Sequence, residues 1–230
     1  MKKFELTSET KINIFGKKLF RIKALISFGN VEAGETGGWV EKEENVNQSG
    51  DAWVFDNAEV FDNARVSDNA RVSGNAWVSD NARVSGNAWA FGNARVSDNA
   101  RVSGNARVFG NARVSYNARV SGNARVSYNA EVSGNAEVFD NAWVFGNARV
   151  FDNADYATIH GFGTQFRTTT FFRCKDKQVK VSCGCFYGTI PEFREQVKNT
   201  RKGKIAEEYL MIADLMEKHF AEEAKIEEAS

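Results

Sequence analysis

The chain has 230 residues, and its 30 Lys and Arg are balanced by 30 Asp and Glu. Zero net charge by count excludes a generally basic nucleic-acid binder and a strongly acidic mimic of nucleic acid. Three cysteines, two of them in Cys183-Gly184-Cys185, fit a reduced intracellular protein better than a disulfide framework.

The opening MKKFELTSETKINIF carries charges but no uninterrupted apolar core, so it does not read as a signal peptide. No apolar run approaches membrane-spanning length, and the expectation is a cytoplasmic protein with no membrane partner. Residues 1–38 form the first predicted domain. Phe4, Leu6, Ile12 and Ile14 alternate with polar residues, Phe15-Gly16-Lys17-Lys18 reads as a turn, and Leu19-Phe20-Arg21-Ile22 follows. This predicts a small antiparallel β unit. Its expected role is to cap the repeat region, whose open strand edges would otherwise invite stacking.

From Asp51 to Asp155 the chain repeats Asn-Ala-Arg-Val-Ser-Gly with small variations. Alanine recurs at every sixth position from Ala52 to Ala154, asparagine from Asn57 to Asn153, and valine from Val54 to Val150 except at Ala90. A short constant period that fits neither an α-helix nor a heptad signals a solenoid. Ala64 and Val66 share one side of a strand while Arg65 and Ser67 share the other. The Asp-Asn or Gly-Asn pair that follows is turn chemistry, because Gly accepts positive φ and Asn tolerates the left-handed region. Looser hexads through Val40, Val46 and Gln48 extend the second domain to residues 39–158. The stretch Val66-Ser67-Asp68-Asn69-Ala70 resembles the left-handed parallel β-helix of hexapeptide-repeat proteins. That resemblance implies a mainly β fold with three hexads per turn and about seven rungs stacked ~4.8 Å apart. Asparagines at the corners are expected to stack in amide ladders.

Residues 159–230 form the third predicted domain, an α/β cap. Phe166–Phe172 and Gln178–Phe186 predict a hairpin turning near Lys175-Asp176-Lys177. Thr189-Ile190-Pro191-Glu192 is a capping box opening a helix to about Thr200. After Lys202-Gly203 a second helix carries Ile205, Tyr209, Ile212, Met216 and Phe220 on one stripe. Residues 222–230 are charged and expected to fray. Together, CGCFYGTIPEF in this tail and the upstream FGNVEAGETGGWV resemble an uncharacterised family of bacteriophage and prophage hexapeptide-repeat proteins. The resemblance implies a bacterial host cell as the setting.

Many hexapeptide-repeat proteins are acyltransferases, with a catalytic histidine near the coil and loops that interrupt it to build a cleft. This chain departs from that pattern, with no histidine and no insertion between Ala52 and Ala154. His160, between glycines just past the coil, is the one candidate base; the plainer reading is a turn histidine. Cys174, Cys183, Cys185 and His160 offer a Cys₃His donor set, but C-x₈-C-x-C is not a zinc-ribbon or finger spacing. No catalytic residue, metal or cofactor is therefore assigned.

Without insertions, residues eighteen apart stack on one face. One face then carries Trp53, Arg71, Trp89, Arg107, Arg125 and Trp143, with Phe55, Phe91, Phe109 and Phe145 two residues along. Aromatics beside arginines are the composition of protein interfaces. The alternative is that they suit exposed strands or lie under the terminal caps. Arg95, Arg101, Arg107, Arg113, Arg119 and Arg125 encircle the coil as a belt and make no single basic stripe, which disfavours nucleic acid. The expectation is a non-enzymatic binding or scaffold protein whose aromatic and arginine face meets a protein partner, either a host defence factor or another copy. The competing expectation is a transferase or small-molecule binder with a pocket between subunits or beneath the C-terminal cap, lined by His160 or the Cys183/Cys185 strand.

Overall fold

The computed structural model describes residues 2–221; the charged tail expected to fray lies outside them. The chain divides into two compact units, the first ending at Asn153 and the second beginning at Ala154.

In the first unit, β1 (Phe4–Ile12) and β2 (Lys18–Ala24) form an antiparallel hairpin, and β3 (Thr36–Val40) adds antiparallel to β2. Two-residue strands β4 to β20 follow, one every six residues from Trp53–Val54 to Arg149–Val150. They build a parallel β-solenoid of about six turns, in which Trp53 pairs with Arg71 and Val54 with Val72, eighteen residues on. β3 pairs in parallel with β5 (Glu59–Val60), so the hairpin continues one solenoid face into a nine-stranded sheet. The other two faces are sheets of six and five strands.

The alternation of the hexad explains the coil. Every alanine from Ala52 to Ala148 and every valine from Val54 to Val150 is buried, while the arginine, glutamate or tryptophan between them is at least partly exposed at every turn but the first, where Trp53 is covered. Each strand is too short to be stable alone; its N–H groups find carbonyls one turn ahead, as Arg101 N does on Ala118 O at 2.9 Å and Ser103 N on Val120 O at 2.9 Å. At the corners, the residue in the left-handed region is the one before the asparagine. Asp, Gly and twice Tyr occupy that place, at φ between 53° and 71°. Asparagine is thereby released to stack. Asn69, Asn87, Asn105, Asn123 and Asn141 form one amide ladder with spacings of 3.0–3.1 Å, and the other two corners carry equivalent ladders. The corner aspartates have a second use: Asp56 and Asp68 accept the N–H of Gly74 and Gly86 one turn ahead, each at 2.9 Å. Tyr116 and Tyr128 sit at φ 57° and 59°, where a side chain of that size costs about 1 kcal/mol or more.

Lys3 lies against the start of the solenoid, only 2% exposed. Its ammonium donates to Gly50 O at 3.2 Å and Ala52 O at 2.8 Å, and stands 4.7 Å from the Phe28 ring centroid. Burial pulls its pKa down from 10.5 to about 8, against the attraction of Asp51.

The second unit is an antiparallel sheet of β21 (Tyr156–Phe162), β22 (Arg167–Arg173), β23 (Val179–Cys183) and β24 (Phe186–Thr189), with α1 (Ile190–Thr200) and α2 (Gly203–His219). The predicted hairpin is the central pair of this sheet. Its second strand stops at Cys183, because Gly184 turns the chain at φ 62° into β24. Thr189 and Glu192 form the expected capping box, the Thr189 N–H donating to Glu192 Oε2 at 2.6 Å. Phe171, Val181, Phe193, Tyr209, Ile212, Met216 and Phe220 make the core of this unit, and Arg194 of α1 pairs with Asp214 and Glu217 of α2. Burial raises the Cys174 thiol from 9.0 to about 11 and the Tyr209 phenol, beside Cys183, from 10.0 to about 12.

These shifts have opposite signs in the two units. Between pH 8 and 10.5 the unfolded Lys3 holds a proton that the folded one has released, so rising pH favours folding of the first unit. Between pH 9 and 11 the folded Cys174 holds a proton that the unfolded one has lost, so rising pH disfavours folding of the second. Hydrogen exchange measured from pH 8 upward should show the first unit gaining stability, by about 3 kcal/mol at most, while the second loses it. Lys3→Met should abolish the gain and leave the loss.

Candidate functional site

The six-stranded face carries the residues singled out by their eighteen-residue spacing. Arg71, Trp89, Arg107, Arg125 and Trp143 lie in register along it, outward of the buried valines and Ala90. The Trp89 indole leans back one turn and donates from Nε1 to Ser73 Oγ at 2.9 Å; Trp143 repeats this on Ser127 at 3.1 Å. Each ring also packs on the phenylalanine two residues along, with centroids 4.5 Å apart for Trp89–Phe91 and 4.7 Å for Trp143–Phe145. Phe91 then stacks on Phe109 at 4.9 Å with the planes 4° apart. Tyr128, on its strained corner and 60% exposed, stands 6.2 Å from Phe145. The face thus holds two aromatic groups, Trp89/Phe91/Phe109 and Tyr128/Trp143/Phe145. Arg107 and Arg125, both exposed, lie in register between Trp89 and Trp143.

Trp53 does not belong to this surface. It is fully buried, with Phe4 and Phe28 edge-on at centroid distances of 5.8 and 5.4 Å. Gly37 of β3 passes against this ring, an added Cβ lying 2.6 Å from Cζ2, and Trp53 Nε1 finds no acceptor among the described residues. The reason is topological: the N-terminal strands cover the first turn, so a residue that repeats an exposed position becomes core. Phe55, its neighbour, is half-buried.

The arginine belt is partly spent. Arg113 lies 3.8 Å from Glu131, Arg119 3.0 Å from Glu137, and the Arg95 guanidinium sits 4.3 Å over Trp77. A third aromatic group, missed in the sequence, lies on the nine-stranded face. Phe15 from the β1–β2 turn packs 5.2 Å from Trp77 and 5.6 Å from Phe61, beside an open groove of about 480 Å³. A phenylalanine in a predicted turn was its only signal.

The candidate donors Cys174, Cys183, Cys185 and His160 are not brought together. Cys174 precedes the β22–β23 turn, whereas Cys183 and Cys185 flank the β23–β24 turn at the other end of the same strands. His160 is exposed on β21, 3.2 Å from Thr168 Oγ1. Among the described residues no three His, Cys, Asp or Glu side chains could share a metal ion. Cys183 and Cys185 do line a cavity of about 100 Å³ within the second unit; His160 does not. Among the described residues no helix is long and apolar enough to cross a membrane.

The coil is similar to the YdcK beta solenoid repeat family, whose model matches residues 64–80, 76–90, 94–108, 100–116 and 118–134. Pattern and structure agree that this is a repeat β-solenoid protein. No curated protein matches the chain in sequence.

Proposed function

We propose that this is a non-enzymatic binding protein that uses the six-stranded face of its solenoid to hold a protein partner. The observation that carries this reading is the pair of aromatic groups on that face, each with its tryptophan anchored by a serine one turn back. Binding energy concentrates in large aromatics and arginines held rigid before association, because little side-chain entropy is then lost. Arg71, Arg107 and Arg125 supply the charged component around them. A coil wound left-handed, as the hexapeptide resemblance implies, keeps this face flat and its residues in straight ranks. The tail's resemblance to phage proteins makes a host protein, a defence factor among them, one occupant of the face; a second copy of the chain is the other.

The test is absolute mass by light scattering for the wild type and for a Trp89→Ala/Phe91→Ala/Phe109→Ala variant. If the face self-associates, the wild type is an oligomer and the variant dissociates at least tenfold more readily, as losing about 2 kcal/mol at a hot spot requires. If the wild type is a monomer, a foreign partner must lose affinity for the variant by the same factor. Equal assembly and equal partner affinity in both proteins would overturn the proposal. The replaced side chains project outward, so circular dichroism should stay unchanged.

A further inference from the structure

The cavity of the second unit has a composition that the binding face does not explain. It lies between the β21–β22 turn, the β23–β24 turn, the last turn of α1 and Tyr209 of α2. Its polar lining includes Arg167, Arg201, Thr164, Gln165, Cys183 and Tyr209, and it contains no carboxylate. Elsewhere in this unit arginine is neutralised: Arg173 pairs with Asp155 at 3.3 Å, and Arg194 pairs with Asp214 and Glu217. Arg167 and Arg201 are different. Among the described residues neither forms an ion pair, and the one polar contact shown for either guanidinium is Arg201 Nη1 donating to Thr200 O at 3.2 Å. Arg167, Arg201, Thr164 and Gln165 are all exposed, so an anion entering the cavity would take the place of water on their donors.

We propose that this cavity is an oxyanion site, taking one phosphate- or sulfate-like group, free or at the end of a larger molecule. Two guanidinium groups with unspent donors, joined by a hydroxyl and an amide, match the several acceptor oxygens of a tetrahedral anion. A volume of about 100 Å³ leaves room for one such group. Tyr209 donates to Phe162 O at 3.2 Å, so it shapes the wall and leaves the anion to the arginines. The Arg167 guanidinium lies beside the β23–β24 turn, its Nη1 2.5 Å from where a Cβ on Gly184 would stand. The opposing effect is the α1 C-terminus, which presents about half a negative charge. Arg201 already donates to one of its last carbonyls, and two full positive charges outweigh what remains.

The test uses the full chain. Inorganic phosphate is titrated calorimetrically at constant ionic strength against wild type, Arg167→Gln, Arg201→Gln and Lys198→Gln. Lys198 is exposed on α1 outside the cavity lining, so its variant makes the same change in net charge. The expected result is saturable binding at one site, weakened about tenfold or more by either arginine change and unchanged by Lys198→Gln. Bound phosphate should also slow alkylation of Cys183 by iodoacetamide, read by peptide mass, in wild type and not in Arg167→Gln. Phenyl phosphate distinguishes the source: competition with phosphate means that an esterified group fits, and failure to compete means a free ion only. Absence of saturable binding, or equal weakening in all three variants, would overturn the proposal. None of these readouts depends on the aromatic face.

Discussion

Val102→Asp is expected to cost the solenoid roughly 3–5 kcal/mol and to split its melting into two transitions. Val102 is fully buried and stands in register with Val84 and Val120 on the turns before and after. A carboxylate there faces only valine and alanine methyls, so it must stay uncompensated or take up a proton and remain unsatisfied. In a globular core the neighbours would shift to let water reach it. A solenoid has one layer of side chains inside each turn, and each turn rests only on its two neighbours. The defect therefore divides the stack, and the turns on either side unfold at different temperatures. Ser103→Asp, one residue along on the outer side, should change stability by no more than about 0.5 kcal/mol. Circular dichroism melts with hydrogen exchange on the two halves would check both. A single unshifted transition for Val102→Asp would mean that the interior admits water.

Gly38→Val should release the N-terminal strands, at a cost of about 3 kcal/mol or more. A Cβ on Gly38 would meet Val54 Cγ1 at 2.6 Å and Ala58 O at 2.8 Å, both set by the first solenoid turn. Gly37 beside it is equally tight, its added Cβ lying 2.6 Å from Trp53 Cζ2 and 2.7 Å from Val54 O. The chain passes so close that backbone must move for either side chain, which is why two adjacent glycines occupy a buried strand otherwise ending in Trp39-Val40. Detachment would uncover Trp53 and leave the edge of β5 unpaired, since β3 is its partner there. Hydrogen exchange should show β1 and β2 losing protection while the middle of the coil keeps it. Mass should rise with concentration, because an uncovered parallel edge pairs with another. Undiminished protection in β1 would show that the hairpin holds independently of Gly38.

Much of this protein was legible from single positions. The alternation of Ala and Val with Arg and Ser assigned inside and outside for the whole coil, because a strand repeats every two residues whatever lies around it. Eighteen-residue stacking followed from the unbroken period together with the three hexads per turn that the hexapeptide resemblance implied, and with it the line of Trp89, Arg107, Arg125 and Trp143. The capping box at Thr189 and the stripe on α2 were local signals that hold without tertiary help. Corner chemistry was half legible: the Asp-Asn and Gly-Asn pairs marked the turns, but which member takes positive φ depends on the amide ladder to the next turn.

Other features depended on what the rest of the chain covers. Trp53 and Trp89 occupy identical places in the repeat, yet Phe4 and Phe28, distant in sequence, make the first one core. Phe15 reaches Trp77 only because the β1–β2 turn lies along the coil's nine-stranded face. Cys174 and Cys183, nine residues apart, end at opposite ends of neighbouring strands, a separation that depends on how β22 and β23 pair. Arg167 opens β22 and Arg201 follows α1, and no periodicity relates them. The sequence by itself determined the repeat, the facing of its side chains and the local starts and stops. Which outward residues remain surface, and which distant side chains share a cavity, was decided only by tertiary structure, because burial depends on neighbours that no local pattern encodes.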